Sequence, residues 1–70
     1  MKKDMVNHPD HYTHGIEPIV YINSHNMEFN DGNVIKYVTR YKYKNGIEDL
    51  KKARFYLDQQ IEKLEGKSIE

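Results

Sequence analysis

Two amphipathic helical patterns, joined by a single stop, fill most of this 70-residue chain. The first begins near Gly32, and the second follows Asn45-Gly46, a pair suited to ending a helix in a left-handed residue. Two helices joined by so short a connection fold most simply as a helical hairpin. We therefore expect residues 32–57 to organise the fold.

The first pattern has an apolar face and a basic face. Val34, Val38 and Tyr41 recur at i, i+4 and i+7, a spacing that suits packing against another element. A row of cations spaced one helical turn apart, which repels itself unless negative charge lies against it, forms the second face. No carboxylate occurs between Gly32 and Gly46, and the row consists of Lys36, Arg40 and Lys44.

The basic face has two interpretations, and the sequence leaves both open. Its cations can pair with carboxylates of a neighbouring helix, or they can bind the phosphates of a ligand. Tyr37 and Tyr43 lie beside the row and can stack on a base or a ribose. The formal net charge of the whole chain is zero, which argues against a general nucleic-acid binder, whereas a small anionic ligand needs only a local patch.

The second pattern predicts a helix with a narrow apolar seam. After Ile47, apolar residues recur at steps of three and four, which is typical of a packing face. Phe55 projects away from this seam and is either an exposed ring or a contact with another subunit. The residues of the seam are Leu50, Ala53, Leu57, Ile61 and Leu64.

Glu48 and Asp49 stand in the first turn of this second helix, where they are weak candidates for a metal site. Paired carboxylates can hold Mg²⁺ together with phosphates. Adjacent residues on a helix point about 100° apart, however, so interaction with the positive end of the helix dipole explains them better. We predict no metal site here, and Mg²⁺ enters only if the protein is a kinase.

Residues 1–15 read as an extended, polar lead-in. Pro9 favours a turn around His8, and the three-residue spacing of its histidines does not supply metal geometry outside a helix. One interpretation is a turn whose polar groups form hydrogen bonds within the protein. The other is that His8, His11 and Tyr12 help to hold a ligand, since imidazole and phenol both donate to phosphate.

The remaining segments complete an all-α unit. Pro18 after Glu17 predicts the start of a short first helix. Residues 27–32 read as a connector in which Asn30 or Asp31 caps the central helix. The sequence thus predicts one domain, residues 1–70, with an extended lead-in, a three-helix core over residues 16–64 that ends in a helical hairpin, and a frayed tail over residues 65–70.

Size and composition favour self-association inside a cell. A chain this short gains only about 3 to 5 kcal/mol from its own core, and with no cysteine it has no disulfide or thiolate metal site to add. We therefore expect a homo-oligomer. No apolar run is long enough to span a bilayer and no signal peptide is recognisable, so we expect no membrane partner and a cytoplasmic location.

Several segments together resemble a known family. VNHPDHY near the start, GIEPIVYI, GNVIKYVTRYKYKNGIEDLKKARFYL and IEKL are similar to a small phage-encoded family of unknown function that is commonly called "phage nucleotide kinase". The resemblance covers roughly residues 6–64. It implies a bacteriophage origin and a site in the cytoplasm of the infected bacterium. A larger relative is an oligomeric kinase that acts on deoxynucleoside monophosphates without a Walker loop.

Carried onto this chain, the family motifs fall on the lead-in, the central helix and the start of the last helix. The matching positions are His8, His11, Tyr12, Asn33, Lys36, Tyr37, Arg40, Glu48, Asp49, Lys51 and Lys52. This chain is smaller than the kinase relative, and phosphoryl transfer needs two nucleotides, a metal and a closed site. Kinase activity therefore implies sites formed between subunits.

Three functions follow as hypotheses. The first is a nucleotide-binding protein, in its enzymatic form a nucleoside monophosphate kinase, that binds phosphate through Lys36, Arg40 and Lys44 with Tyr37, Asn33, His8, His11 and Tyr12 around the ligand. The second is a non-enzymatic sponge that sequesters a nucleotide or a cyclic nucleotide of host defence. The third is a small inhibitor that binds a host protein through Phe55, Tyr56 and the first helix.

Overall fold

Three helices make up the part of the chain that the structure describes. The computed structural model describes residues 15–66, in which α1 spans Pro18–Ser24, α2 spans Phe29–Arg40 and α3 spans Ile47–Leu64. These residues contain no strand. The all-α prediction with a C-terminal hairpin is confirmed. The predicted lead-in, with its His8, His11 and Tyr12, lies outside the described residues.

The short first helix begins where the sequence predicts. Glu17 is its N-cap residue in an extended conformation, and Pro18 occupies the first helical position, where its missing N–H has no consequence. α1 then crosses α2 at Gly32, which is buried. A Cβ at Gly32 would come within 3.2 Å of Cγ2 of Ile22, so the absence of a side chain there permits the close approach of the two helices.

The central helix begins earlier than expected. α2 starts at Phe29 with Glu28 as N-cap, so the predicted cap role of Asn30 and Asp31 is wrong. The side chain of Asn30 instead donates to Oε1 of Gln60 at 3.1 Å. Asn30 thus forms a hydrogen bond between α2 and α3, and the local sequence does not predict this partner.

The predicted role of Asn45-Gly46 as the end of the central helix is wrong, because Gly46 is instead the N-cap residue of α3. α2 ends at Arg40, residues 41–46 form a turn, and the amide of Gly46 donates to the carbonyl of Tyr41 at 2.9 Å. Gly46 has φ 58° and ψ −127°, a conformation that essentially only glycine adopts without strain. Because the helix ends at Arg40, Lys44 lies in the turn, and the predicted helical row of three cations is wrong at its last member.

The hairpin packs through a face of α3 that differs from the predicted seam. Five residues at steps of three and four lie against α2 or are buried: Asp49, Ala53, Tyr56, Gln60 and Lys63. Of the predicted seam, Ala53 belongs to this contact face and is 5% exposed. Leu57, Ile61 and Leu64 are 48%, 45% and 80% exposed, so they do not pack in the hairpin.

No helix among residues 15–66 is long and apolar enough to cross a membrane.

Candidate functional site

The most buried side chain of the described residues is a carboxylate. Asp49, in the first turn of α3, has no exposed surface. Its Oδ2 accepts from Nε of Arg40 at 3.2 Å and its Oδ1 from Nη2 at 3.3 Å, a two-point ion pair across the hairpin. Asn45 adds its backbone amide at 3.3 Å and its side-chain amide at 3.2 Å. One carboxylate thus joins the end of α2, the turn and the start of α3.

The charge of Asp49 is stabilised where it lies. The hydrogen bonds from Arg40 lower the pKa of the Asp49 carboxyl, the burial of the carboxylate opposes this effect, and the donors of Asn45 reinforce it. Asp49 is therefore ionised at neutral pH. Its role as a weak metal candidate has no support in this geometry, since each of its oxygens already accepts two hydrogen bonds.

Arg40 agrees with the interpretation that cations of the basic face pair with carboxylates of a neighbouring helix. The side chain is 16% exposed and its guanidinium binds the carboxylate of the neighbouring helix. The same guanidinium carbon lies 4.9 Å from the centre of the Tyr37 ring. Arg40 therefore fixes the position of Tyr37 as well as the end of the hairpin, and a direct role in ligand binding stays a prediction.

Two lysines join Arg40 around Tyr37. Nζ of Lys36, one residue earlier on α2, lies 5.0 Å from the ring centre, and Nζ of Lys52, on α3, lies 5.5 Å from it. Contacts of this length are favourable cation–π interactions. Among the described residues neither lysine forms a salt bridge, in contrast to Arg40. We call Lys36, Tyr37, Arg40, Lys52 and Tyr56 the Tyr37 cluster.

The cluster concentrates positive charge. Since all three cations lie about 5 Å from one ring centre, they are separated by no more than roughly one Debye length, about 10 Å at 0.1 M salt. Only Arg40 is neutralised by a carboxylate within residues 15–66. The two lysines therefore leave a local site for an anion, with the aromatic ring holding their side chains near one another.

Aromatic rings extend from the cluster along the hairpin. Tyr37 stacks on Tyr56 with ring centres 6.0 Å apart and planes 10° apart. Tyr56 in turn makes edge contacts with Phe29 at 5.8 Å and Phe55 at 5.1 Å. Phe29 and Phe55 are 75% and 56% exposed. The exposed rings of Phe29 and Phe55 are thus linked to Tyr37 and its cations through Tyr56. Aromatic surface on the same hairpin as positive charge suits a planar, negatively charged ligand.

The other predicted site residues are scattered. The side-chain amide of Asn33 donates to the carbonyl of Phe29 at 3.1 Å, which occupies one of its donors. Lys44 and Tyr43 are exposed in the turn, and Glu48 is exposed on α3. These residues do not belong to the Tyr37 cluster. Within residues 15–66 no group of three His, Asp or Glu side chains is placed to hold a metal ion.

Reasoning from helical spacing missed the part that α3 plays in this site, although the family resemblance included Lys52. Lys52 precedes Phe55 and Tyr56 by three and four residues, so the three side chains share one region of the helix surface. That spacing was a signal of a mixed basic and aromatic surface. The spacing alone does not show that this surface of α3, and not the apolar seam, lies beside Tyr37.

A second depression lies between α1 and α2. It is apolar, has a volume of about 210 Å³, and is lined by Ile16, Pro18, Tyr21, Ile35 and Thr39. This volume is below the roughly 300 to 1,000 Å³ of typical small-molecule sites, and no charged side chain lines it. It is a poorer candidate than the Tyr37 cluster.

Comparison with known proteins places the chain in a family. Residues 6–58 match the model of the DUF3310 family, which is described as a protein of unknown function. The chain belongs to the DUF3310 family. This match spans α1, α2, the turn and α3 as far as Asp58, and so includes every member of the Tyr37 cluster.

Neither of the other comparisons extends this assignment. No curated protein and no solved structure matches the chain. The family carries no assigned activity, so the kinase name, the phage origin and the infected-cell location implied by the sequence resemblance stay predictions for this DUF3310 protein.

Proposed function

We propose that this DUF3310 protein binds nucleotides at the Tyr37 cluster. The observation that carries the proposal is the convergence of three cations on the Tyr37 ring, of which only Arg40 has a carboxylate partner in the described residues. Lys36 and Lys52 bind the phosphates, and the exposed rings of Phe29 or Phe55 contact the base. Arg40, held by Asp49, keeps Tyr37 and the lysines in place.

Binding, rather than phosphoryl transfer, is the function that these residues support directly. Lysine ammonium groups bind phosphate as point charges, and aromatic rings stack on any base. A monophosphate kinase requires in addition a second nucleotide and Mg²⁺. Kinase activity with Mg²⁺, at sites shared between subunits, is the enzymatic form of this proposal, and sequestration of a nucleotide or cyclic nucleotide is its non-enzymatic form.

The test is calorimetric titration with nucleoside monophosphates, nucleoside triphosphates and inorganic phosphate, each with and without Mg²⁺. Lys36→Gln and Lys52→Gln are compared with Lys42→Gln, which removes the same charge from the exposed turn. A charge-assisted hydrogen bond contributes about 1.5 to 3 kcal/mol, so each cluster variant should weaken nucleotide binding about tenfold or more. The Lys42→Gln variant should bind within about twofold of the parent protein.

The outcomes separate the candidate functions. If no nucleotide binds, or if the three lysine variants lose affinity equally, the proposal is wrong. Equal affinity for inorganic phosphate and for nucleotides would exclude a contribution from the aromatic rings. Chromatography of the nucleotides after incubation with ATP, a deoxynucleoside monophosphate and Mg²⁺ then distinguishes a kinase, which yields diphosphates, from a sponge, which returns them unchanged.

A further inference from the structure

Most of the apolar seam of α3 is exposed among residues 15–66, although Ala53 packs in the hairpin. Extended to Ile47 and without Ala53, the seam follows a heptad pattern in which Ile47, Arg54 and Ile61 occupy a positions and Leu50, Leu57 and Leu64 occupy d positions. Leu50 is half-buried, whereas the other apolar members are 45% to 80% exposed. Apolar residues that repeat every 3.5 positions are the pattern of a coiled coil, so the sequence of α3 is suited to packing on a further helix.

That helix is not α2. The hairpin uses Asp49, Ala53, Tyr56 and Gln60, positions that precede the seam by one residue and therefore lie about 100° around the helix from it. Within the described residues of α2 and α3, Ala53 is the only apolar side chain that is buried. A hairpin with so small a core gains little stability from its own packing. Chains of this size are often stabilised further by association of subunits.

We propose that a second copy of this chain covers the seam, with the two α3 helices antiparallel. In this register Ile47 faces Leu64 of the second copy, Leu50 faces Ile61 and Arg54 faces Leu57, so that every a position meets a d position. The two-fold axis passes midway between residues 55 and 56. All six positions of each seam are used, and no apolar member lies beyond the contact.

Charge complementarity decides the orientation. In the antiparallel register the e position Lys51 lies beside Asp58 of the second copy, and the symmetry repeats this pair, while Arg54 lies near the same Asp58 with its aliphatic stem on Leu57. In a parallel pair, two Arg54 side chains would face one another across the seam. Like charges in that position are unfavourable, and Lys51 and Asp58 would not meet.

The proposal is independent of ligand binding. The seam and the contact face with the Tyr37 cluster are different faces of α3, so a variant of one leaves the residues of the other in place. Failure of the nucleotide proposal would not affect the dimer, and a monomeric variant can still be titrated with nucleotides.

The first experiment measures the mass of the full chain by sedimentation equilibrium over a range of concentrations. Leu57→Asp removes an apolar contact twice per dimer, so it should weaken association about 100-fold or more. Phe55→Asp, which alters a similarly exposed apolar side chain outside the seam, should leave the dimer intact. A monomeric parent protein, a trimer, or equal loss in both variants overturns the proposal.

Charge exchange tests the register. Lys51→Glu and Asp58→Lys each place like charges across the interface and should weaken the dimer about 3- to 10-fold. The double variant restores opposite charges and should recover the parent affinity. Additive losses in the double variant would overturn the antiparallel register.

Crosslinking tests the orientation, since the chain has no native cysteine. Residues 47 and 64 lie about 25 Å apart along one helix. In the antiparallel dimer, Ile47→Cys or Leu64→Cys alone should give no disulfide dimer, whereas an oxidised mixture of the two variants should give one that contains both chains. Disulfide dimers of either variant alone would overturn the proposal in favour of a parallel pair.

Discussion

The two ends of the α2–α3 hairpin use the same chemistry in different surroundings. At the turn end, Arg40 and Asp49 form an ion pair whose side chains are 16% and 0% exposed. At the open end, Lys63 and Glu28 form a shorter pair, 2.8 Å from Nζ to Oε1, with side chains 55% and 57% exposed. Solvent competes with the second pair and is largely excluded from the first. Burial, and not distance, therefore sets how much of the fold depends on each pair.

The neighbours of each pair reinforce the difference. Asp49 has all its hydrogen-bond acceptors in use by Arg40 and Asn45, so that the turn cannot open without breaking several bonds. Glu28 accepts from Lys63 and, at 3.1 Å, from Gln60, and both donors remain accessible to water. Their hydrogen bonds lower the pKa of Glu28, and the same pair raises the pKa of Lys63. We expect the turn end to unfold last and the open end to fray first.

The largest effect should come from Asp49→Ala. This change leaves the Arg40 guanidinium without its carboxylate in a largely buried place and removes the acceptor of Asn45. We expect loss of most of the helical circular dichroism at 25 °C. Glu48→Ala, one residue earlier and exposed, is the matched control and should retain the signal. Similar melting curves for the two variants would show that the buried pair is dispensable.

Low pH should destabilise the turn end of the hairpin. Because the folded-state pKa of Asp49 is lowered, the unfolded state binds a proton more readily, and the stabilisation by Asp49 is complete above its unfolded pKa of about 4. It is lost as the pH falls from about 4 through the lowered pKa. Thermal melts of the parent protein and of Asp49→Asn between pH 2 and 7 measure how much stability the Asp49 carboxylate contributes at each pH. The difference in stability between them should shrink toward low pH; a constant difference would contradict the assignment.

The turn itself should tolerate little change. Gly46→Ala places a side chain at φ 58° and ψ −127°, a conformation that costs about 1 to 3 kcal/mol for residues other than glycine. Urea denaturation at fixed protein concentration should show a loss of this size. Gly15→Ala is the control, since Gly15 has no positive φ and no atom within 4 Å of the added methyl group. Equal stability of the two variants would mean that the turn relaxes without strain.

The smallest effect should follow Glu28→Gln at the open end. It breaks an exposed ion pair and keeps a side chain of similar size that can still accept from Gln60. We expect a melting temperature close to that of the parent. The small dependence of the melting temperature on salt concentration that the Glu28 ion pair contributes should be lost. Hydrogen exchange near residue 28 should be fast in both proteins. A destabilisation comparable to that of Asp49→Ala would remove the contrast between the two ends.

Much of the fold follows from local sequence. Pro18 marks the start of α1, Asn45-Gly46 separates α2 from α3, and the repeat of apolar residues predicts α3 to its end at Leu64. These features depend on φ restrictions and helical periodicity, which act over a few residues. The candidate site was only partly predictable: Lys36, Tyr37 and Arg40 were recognised on α2, but Lys52 and Tyr56 come from another helix.

The sequence by itself determined which residues share a helix face, because 3.6 residues per turn fixes that relation within each helix. Only the tertiary structure decided how α3 is rotated against α2, since that rotation depends on contacts between residues far apart in the chain. Pairing of Arg40 with Asp49 and stacking of Tyr37 on Tyr56 turn the polar and aromatic face of α3 inward. As a result, most of the regular apolar pattern of α3 lies outside the hairpin, and Arg40, predicted to bind phosphate, forms an ion pair with Asp49 and is 16% exposed.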